Sequence, residues 1–260
     1  MTLNGVRIIK KIRFILLLLC IGVFCYSAYQ LISYFYDGYK NEKDYQEIRE
    51  VYDFEELSKA DKEGIEDLAA LRKERFAALK EINADVVAWV HVPNTNIDYP
   101  VVQGDDNSYY LDHTVEGYTS RVGAIFMDYR NKLSDESVPT DYNTIIYGHH
   151  LKSGAMFTSL KEFKDEAFFN INRYIYIDTP EGTLIYEIFS VIITEADYNY
   201  IETYFQSGED FLSFVSDIQK RALFNRDTII REEDKILTLS TCTYEYEDAR
   251  LAVFAKLIEK

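Results

Sequence analysis

A mainly β domain, closed or nearly closed into a barrel and preceded by helices, is the fold class this sequence predicts. Eight short β-rich runs follow one another after Asn83, separated by turn residues, and a single stretch among them carries helical spacing. Before them, Lys43 to Asn83 is charged, free of proline and periodic in the helical sense. Many strands with few helices between them are best accommodated by a barrel.

The N-terminal segment comes first. Phe14 to Phe35 is a run of 22 residues without an ionised side chain, long enough as a helix to span a hydrocarbon core of roughly 30 Å. Arg7, Lys10, Lys11 and Arg13 precede it, and no acidic residue occurs before Asp37. The positive-inside bias therefore puts the N-terminus in the cytoplasm and the rest of the chain outside. A cleaved signal peptide competes with this, but its apolar region is usually about 7–15 residues long, and no small-x-small cleavage site follows here. The expectation is a basic cytoplasmic tail over 1–13 and an uncleaved transmembrane signal anchor over 14–36.

Next, Ile65, Leu68, Leu71, Phe76, Leu79 and Ile82 recur at spacings that fit one helical face. Two helices are expected between Lys43 and Asn83, with the break near Gly64, so that 37–83 forms a helical stalk and packing layer. The eight strands are Val86 to Val92, Ile97 to Val102, Gly123 to Met127, Thr144 to Tyr147, Tyr174 to Ile177, Thr183 to Thr194, Ile236 to Cys242 and Arg250 to Ile258, within one domain over 84–260. Between the two long late strands, Phe211, Phe214, Val215, Ile218 and Ala222 carry helical spacing, with Ser207 and Asp210 placed as a capping box.

Without the four N-terminal cations, 24 basic face 44 acidic side chains, a net of −20. So acidic a domain repels nucleic acid. Of three cysteines, Cys20 and Cys25 lie in the apolar segment, which leaves Cys242 without an intrachain partner outside the membrane. A lone exported thiol is a buried inert group, an intermolecular disulfide partner or a reactive nucleophile.

Strand alternation separates Thr238, Ser240 and Cys242 from Leu237, Leu239 and Thr241, so Cys242 ends its strand on the more polar side. The connection that follows carries Glu245, Glu247 and Asp248. The next strand begins at Arg250, with Leu251, Val253, Ala255 and Leu257 on its apolar face. Antiparallel pairing would set Cys242 opposite Arg250. His149 follows the run Ile145-Ile146-Tyr147-Gly148, where Gly148 is read as letting the backbone turn sharply. By alternation His150 points the other way, which makes it the fallback acid/base. His91 and His113 are read as structural. A thiol, an imidazole and a guanidinium supply a nucleophile, a proton shuttle and a charge stabiliser.

Thr238-Leu239-Ser240-Thr241-Cys242, with Arg250 eight residues on, resembles the T-L-x-T-C signature of sortases, the cysteine transpeptidases of Gram-positive cell envelopes. Asp85 to Val90, Asn94 to Gln103, Asp106 to Leu111, Tyr147-Gly148-His149-His150 and Met156-Phe157 are similar to class B sortases in particular, as is the helix inserted between the late strands. The resemblance covers roughly residues 43–258.

That resemblance implies an eight-stranded sortase-type β-barrel with N-terminal helices, and catalysis by His149, Cys242 and Arg250. Ser240, Thr243 and Tyr147 are candidate substrate contacts. Cys242 would attack a C-terminal P-x-T-containing sorting signal of a secreted protein, and an amine of peptidoglycan or its lipid-linked precursor would resolve the thioester. Arg250 would donate to the oxyanion or hold the substrate backbone, with the backbone N–H of a neighbouring residue as the second donor. Hydrolysis is a side reaction; no metal or other cofactor is implied, and the acidic stretches contain no D-x-D-x-D-G calcium loop. The competing classes are a pilin-polymerising sortase, a cysteine protease and a silent anchored binding module.

Overall fold

The structure, a computed structural model, describes residues 3–63, 67–134, 136–243 and 248–259. The chain divides into two compact units, Met1–Glu42 and Lys43–Lys260. The first consists of helix. Its apolar side chains, among them Phe14, Leu16, Leu19, Phe24 and Leu31, stand exposed. An 18-residue stretch of it has a mean hydropathy of 2.2, and among the described residues it is the one helix long and apolar enough to cross a membrane.

Helix α1 is assigned over Leu3–Tyr52, α2 over Phe54–Glu63 and α3 over Leu68–Ile82. This corrects the expectation of two helices after Lys43: three helical segments contribute there, the first being the end of α1. Nothing between Asp37 and Tyr52 interrupts a helix, since Gly38 is tolerated in it. Asp53 does, adopting a left-handed backbone with φ of 45°. Its carboxylate then accepts the Glu56 N–H at 3.0 Å, capping the first turn of α2. The expected break at Gly64 lies outside the described residues, as does Ile65.

In the second unit eight strands close into a circuit. They are β1 (Val86–His91), β2 (Asp98–Val102), β3 (Phe126–Met127), β4 (Asn143–Tyr147), β5 (Tyr174–Thr179), β6 (Gly182–Glu195), β8 (Ile236–Cys242) and β9 (Ala249–Glu259). Their order is β5-β1-β2-β3-β4-β8-β9-β6, and β6 pairs back onto β5. A ninth strand that the sequence pattern did not reveal, β7 (Phe224–Asn225), adds two residues to the edge of β6 beyond its pairing with β5. It is too short to carry a period of its own. The β2–β3 and β4–β8 pairs are parallel and the others antiparallel.

The barrel interior holds Ala88, Val101, Met127, Ile146, Leu237, Leu239, Leu251 and Val253, while Trp89 stands on the outer face of β1. Tyr52 from α1 stacks on Trp89, with ring centroids 4.3 Å apart, and its hydroxyl donates to Asp178 at 2.6 Å. Burial, reinforced by that carboxylate, pushes the Tyr52 hydroxyl well above its ordinary pKa. Phe76 and Leu79 of α3 join the same core, and each fully buried side chain of this kind contributes roughly 1.5–3 kcal/mol. The helices are thus a packing layer on the barrel.

The short helix α4 (Glu166–Ile171) precedes β5, and helix α5 (Gly208–Arg221) begins at Ser207, whose hydroxyl accepts the Asp210 N–H at 3.1 Å. It carries Phe211, Val215 and Ile218 onto a second cluster with Phe189, Ile192, Ile236, Ala252 and Phe254. This cluster covers the outer face of β8 and β9. The side of β8 that bears Thr238 and Ser240 is therefore buried, and Cys242 is the exposed residue of the strand. The alternation is as expected, but polarity did not mean exposure, because α5 lies over that face.

Candidate active site

The site lies where β4 and β8 end and β9 begins. Cys242 is the last residue of β8, a free and exposed thiol, and Arg250 stands directly opposite it in the antiparallel β8–β9 pair. Arg250 Nη1 donates to the carbonyls of Asp248 and Ala249 at 3.0 and 3.2 Å. The guanidinium thereby braces the return of the connection into β9. Asp248 needs such bracing, since its φ is 58°. Glu245 and Glu247 lie outside the described residues.

Two residues before Cys242, Ser240 is buried and its hydroxyl is 2.9 Å from that of Tyr200. Burial pushes the Tyr200 hydroxyl up in pKa; the Ser240 hydrogen bond and the Arg250 charge pull it down, and Cys242 adds to the rise. Tyr200 was not singled out in the sequence, and no local pattern marks it. It reaches the site from the connection between β6 and α5. Thr243 is buried too, and its N–H donates to the Ala249 carbonyl at 3.0 Å. That N–H closes the hairpin, so in this state it is not turned toward an oxyanion.

His149 and His150 follow the end of β4, and strand alternation does not extend to them. Glycine is needed at 148 because a side chain has no space there, and not because the backbone is left-handed. A Cβ there would meet Ile125 Cδ1, with the Phe157 ring at 2.7 Å. His149 Nε2 lies 2.6 Å from the Leu111 carbonyl. A carbonyl only accepts, so Nε2 carries the proton and Nδ1 is the acceptor nitrogen of the neutral ring. His150 does not turn away from the site: its Nδ1 lies 3.0 Å from the Cys242 carbonyl.

Tyr147 pairs with Ser240 in the parallel β4–β8 ladder, and its hydroxyl donates to Asp128 at 2.9 Å. Asp128 is fully buried and also accepts from Arg130 Nε at 2.9 Å, Arg130 Nη2 at 2.7 Å and Asn107 Nδ2 at 2.9 Å. Burial would raise its pKa, but the bonds from Arg130, Tyr147 and Asn107 outweigh burial and hold the carboxyl below its usual range. Arg130 Nη2 further donates to the Ile201 carbonyl at 2.9 Å. One ion pair thus ties the 106–111 segment, β4 and the β6–α5 connection together around the site. The sequence offers one signal, Asp128-Tyr129-Arg130 directly after a strand, and no local pattern separates such a pair of charges from a solvated turn.

His91 stacks on Phe54 and contacts Asp98 at 3.2 Å, and His113 stacks on Tyr109, both structural placements. Among the described residues no group of three or more His, Cys, Asp and Glu side chains is arranged to hold a metal ion.

A family profile described as the Sortase domain matches residues 90–258. The chain belongs to the sortase family, whose members are cysteine transpeptidases of the cell envelope. Within that family it falls in class B. It is 32% identical to sortase B of Listeria monocytogenes over 94% of this chain and 96% of that protein. With sortase B of Staphylococcus aureus it shares 29% over 96% and 98%. Among solved structures, a mutant form of Clostridium perfringens sortase B superposes with a TM-score of 0.75 at 35% identity, over 84% of this chain and 98% of that one. A Staphylococcus aureus sortase B–substrate complex superposes with a TM-score of 0.74 at 30% identity, over 86% and 98%.

Proposed function

We propose that this class B sortase is anchored in the cell membrane by residues 14–36, with 1–13 in the cytoplasm and both the helical layer over 37–83 and the barrel over 84–260 outside. It cleaves a C-terminal P-x-T-containing sorting signal of secreted proteins and transfers the acyl group to an amine of peptidoglycan or its lipid-linked precursor. The observation that carries the reading is the exposed Cys242 thiol directly opposite Arg250.

In the first half-reaction the Cys242 thiol passes its proton to the acceptor nitrogen of His149 as the sulfur adds to the carbonyl carbon after the Thr of the signal. The C–N bond then breaks, a thioester forms, and His149 gives a proton to the departing amine. In the second, His149 takes a proton from the incoming amine, whose nitrogen displaces the sulfur, and returns that proton to the departing Cys242 thiolate. Arg250 stays charged throughout and donates to the oxyanion, a role that suits a planar fork of donors. Ser240, Thr243 and Tyr147 support the substrate groove.

A peptide-library cleavage assay with residues 43–260, with and without an amine acceptor, tests this. Cleavage after Thr in P-x-T peptides, an acceptor-dependent ligation product and silence of Cys242→Ala are expected. An acceptor that leaves the products unchanged would favour a protease instead.

A further inference from the structure

The β4–β8 ladder ends in an irregular way at the nucleophile. In a parallel pair the carbonyls that face one neighbour recur at every second residue. At the far end the Ile236 N–H donates to the Tyr142 carbonyl at 2.8 Å, and at the near end the Gly148 N–H donates to the Ser240 carbonyl at 3.1 Å. The next carbonyl of β8 in this series is that of Cys242, and the next donor in register would be the backbone N–H of His150.

That backbone has left the sheet. Strand β4 stops at Tyr147, and the segment after it folds on itself: the Phe157 N–H donates to the His149 carbonyl at 3.0 Å, and His150 pairs with Met156 in an antiparallel bridge. Met156 is buried, its N–H 3.1 Å from the Tyr99 hydroxyl, so the segment is held against the barrel. The His150 side chain supplies the missing rung, with Nδ1 3.0 Å from the Cys242 carbonyl. On the other side of the same peptide plane, the Thr243 N–H is held by the Ala249 carbonyl at 3.0 Å. The peptide that follows the nucleophile is clamped between β9 and an imidazole.

We propose that His150 is a positioning residue for Cys242: its Nδ1–H extends the β4–β8 ladder by one rung and fixes the peptide from which the thiol projects. This rests on the reading of Cys242 as the nucleophile. The role needs a donor at Nδ1 and no change of protonation, because the neutral Nδ1–H form and the imidazolium both donate there. It assigns the adjacent histidines different work, with His149 moving protons and His150 holding backbone.

The full chain in detergent micelles tests this with His150→Ala, His150→Asn and His150→Gln. The Asn amide places a donor near the position of Nδ1, whereas the Gln amide reaches toward that of Nε2. Hydrogen exchange at the Thr243 amide, read by mass spectrometry, should rise about fivefold to tenfold in His150→Ala, the size of one lost hydrogen bond, and return toward the native rate in His150→Asn but not in His150→Gln. Cleavage of a P-x-T peptide should lose kcat with little change in KM, in the same order of variants, and the midpoints of the pH profile should stay in place. Unchanged Thr243 exchange in His150→Ala, or a His150→Asn variant no better than His150→Gln, overturns the proposal. Loss of one limb of the pH profile overturns it too, by making His150 the acid/base. If His150→Ala does not fold, the comparison of Asn with Gln decides alone. Activity that survives Cys242→Ala would sink the nucleophile assignment, while the exchange measurement still reports on the tether.

Discussion

The hydroxyls of Tyr200 and Ser240 meet at 2.9 Å beneath the Cys242–Arg250 pair, joining the β6–α5 connection to strand β8. Tyr200→Phe leaves a buried Ser240 oxygen without that partner and is expected to cost about 1–3 kcal/mol. In a double-mutant cycle with Ser240→Ala, measured by urea unfolding, the pair should show a coupling of at least about 0.5 kcal/mol. Strict additivity would mean that the bond contributes nothing.

Gly148→Ala drives a methyl group into Ile125 and Phe157 just before His149. Overpacking of this kind costs about 1–3 kcal/mol, so a lower melting temperature is expected. Gly154→Ala is the comparison, since there the cost of about 1–2 kcal/mol comes from a left-handed backbone, φ 88°, with open space around the added carbon. Relief of the Gly148→Ala defect by Ile125→Val, with no relief for Gly154→Ala, would confirm the steric cause.

The Asp128 carboxyl, depressed in the folded state, makes stability fall in acid. Its contribution is fully present above the unfolded carboxylate value of about 3.9 and is lost as pH falls through the lower folded value. Asp128→Asn should therefore destabilise at pH 7 and remove this part of the acid sensitivity. Because Arg130 stays partly solvated, the loss at neutral pH should sit near or below the lower end of the 3–5 kcal/mol range for breaking a buried pair, about 2–3 kcal/mol. Urea unfolding of both proteins at pH 7 and pH 3 is the measurement, and parallel pH curves would remove Asp128 as the cause.

Arg250→Lys keeps the charge but loses the planar fork that reaches the Asp248 and Ala249 carbonyls. As an oxyanion donor its loss is expected to cost about 10²–10³ in the rate of thioester formation. Single-turnover kinetics read this directly; a variant within severalfold of the native rate would leave Arg250 a bracing role only.

Several features could be read along the chain because they repeat locally. The apolar run Phe14 to Phe35, the alternation in β8 and β9, the α5 helix with its Ser207 cap and the Thr238-to-Cys242 signature each lie within one element, where period and residue type express a single backbone geometry. The errors had the same origin. Thr238 and Ser240 marked only the more polar side of β8, and nothing within the strand announces that α5 covers it. Gly148 read as a conformational requirement, whereas Ile125 and Phe157 approach it from elsewhere in the chain.

Composition and periodicity by themselves determined the barrel class, the apolar N-terminal helix and a strand ending at a cysteine on its more polar side. Only the tertiary structure decided how the segments around that cysteine are held. Asp128 joins three of them, Tyr200 arrives from a distant connection, and the two imidazoles after β4 are divided between the Leu111 and Cys242 carbonyls. Those choices depend on hydrogen bonds between residues tens of positions apart, which are specified by packing and register and by no pattern within a single element.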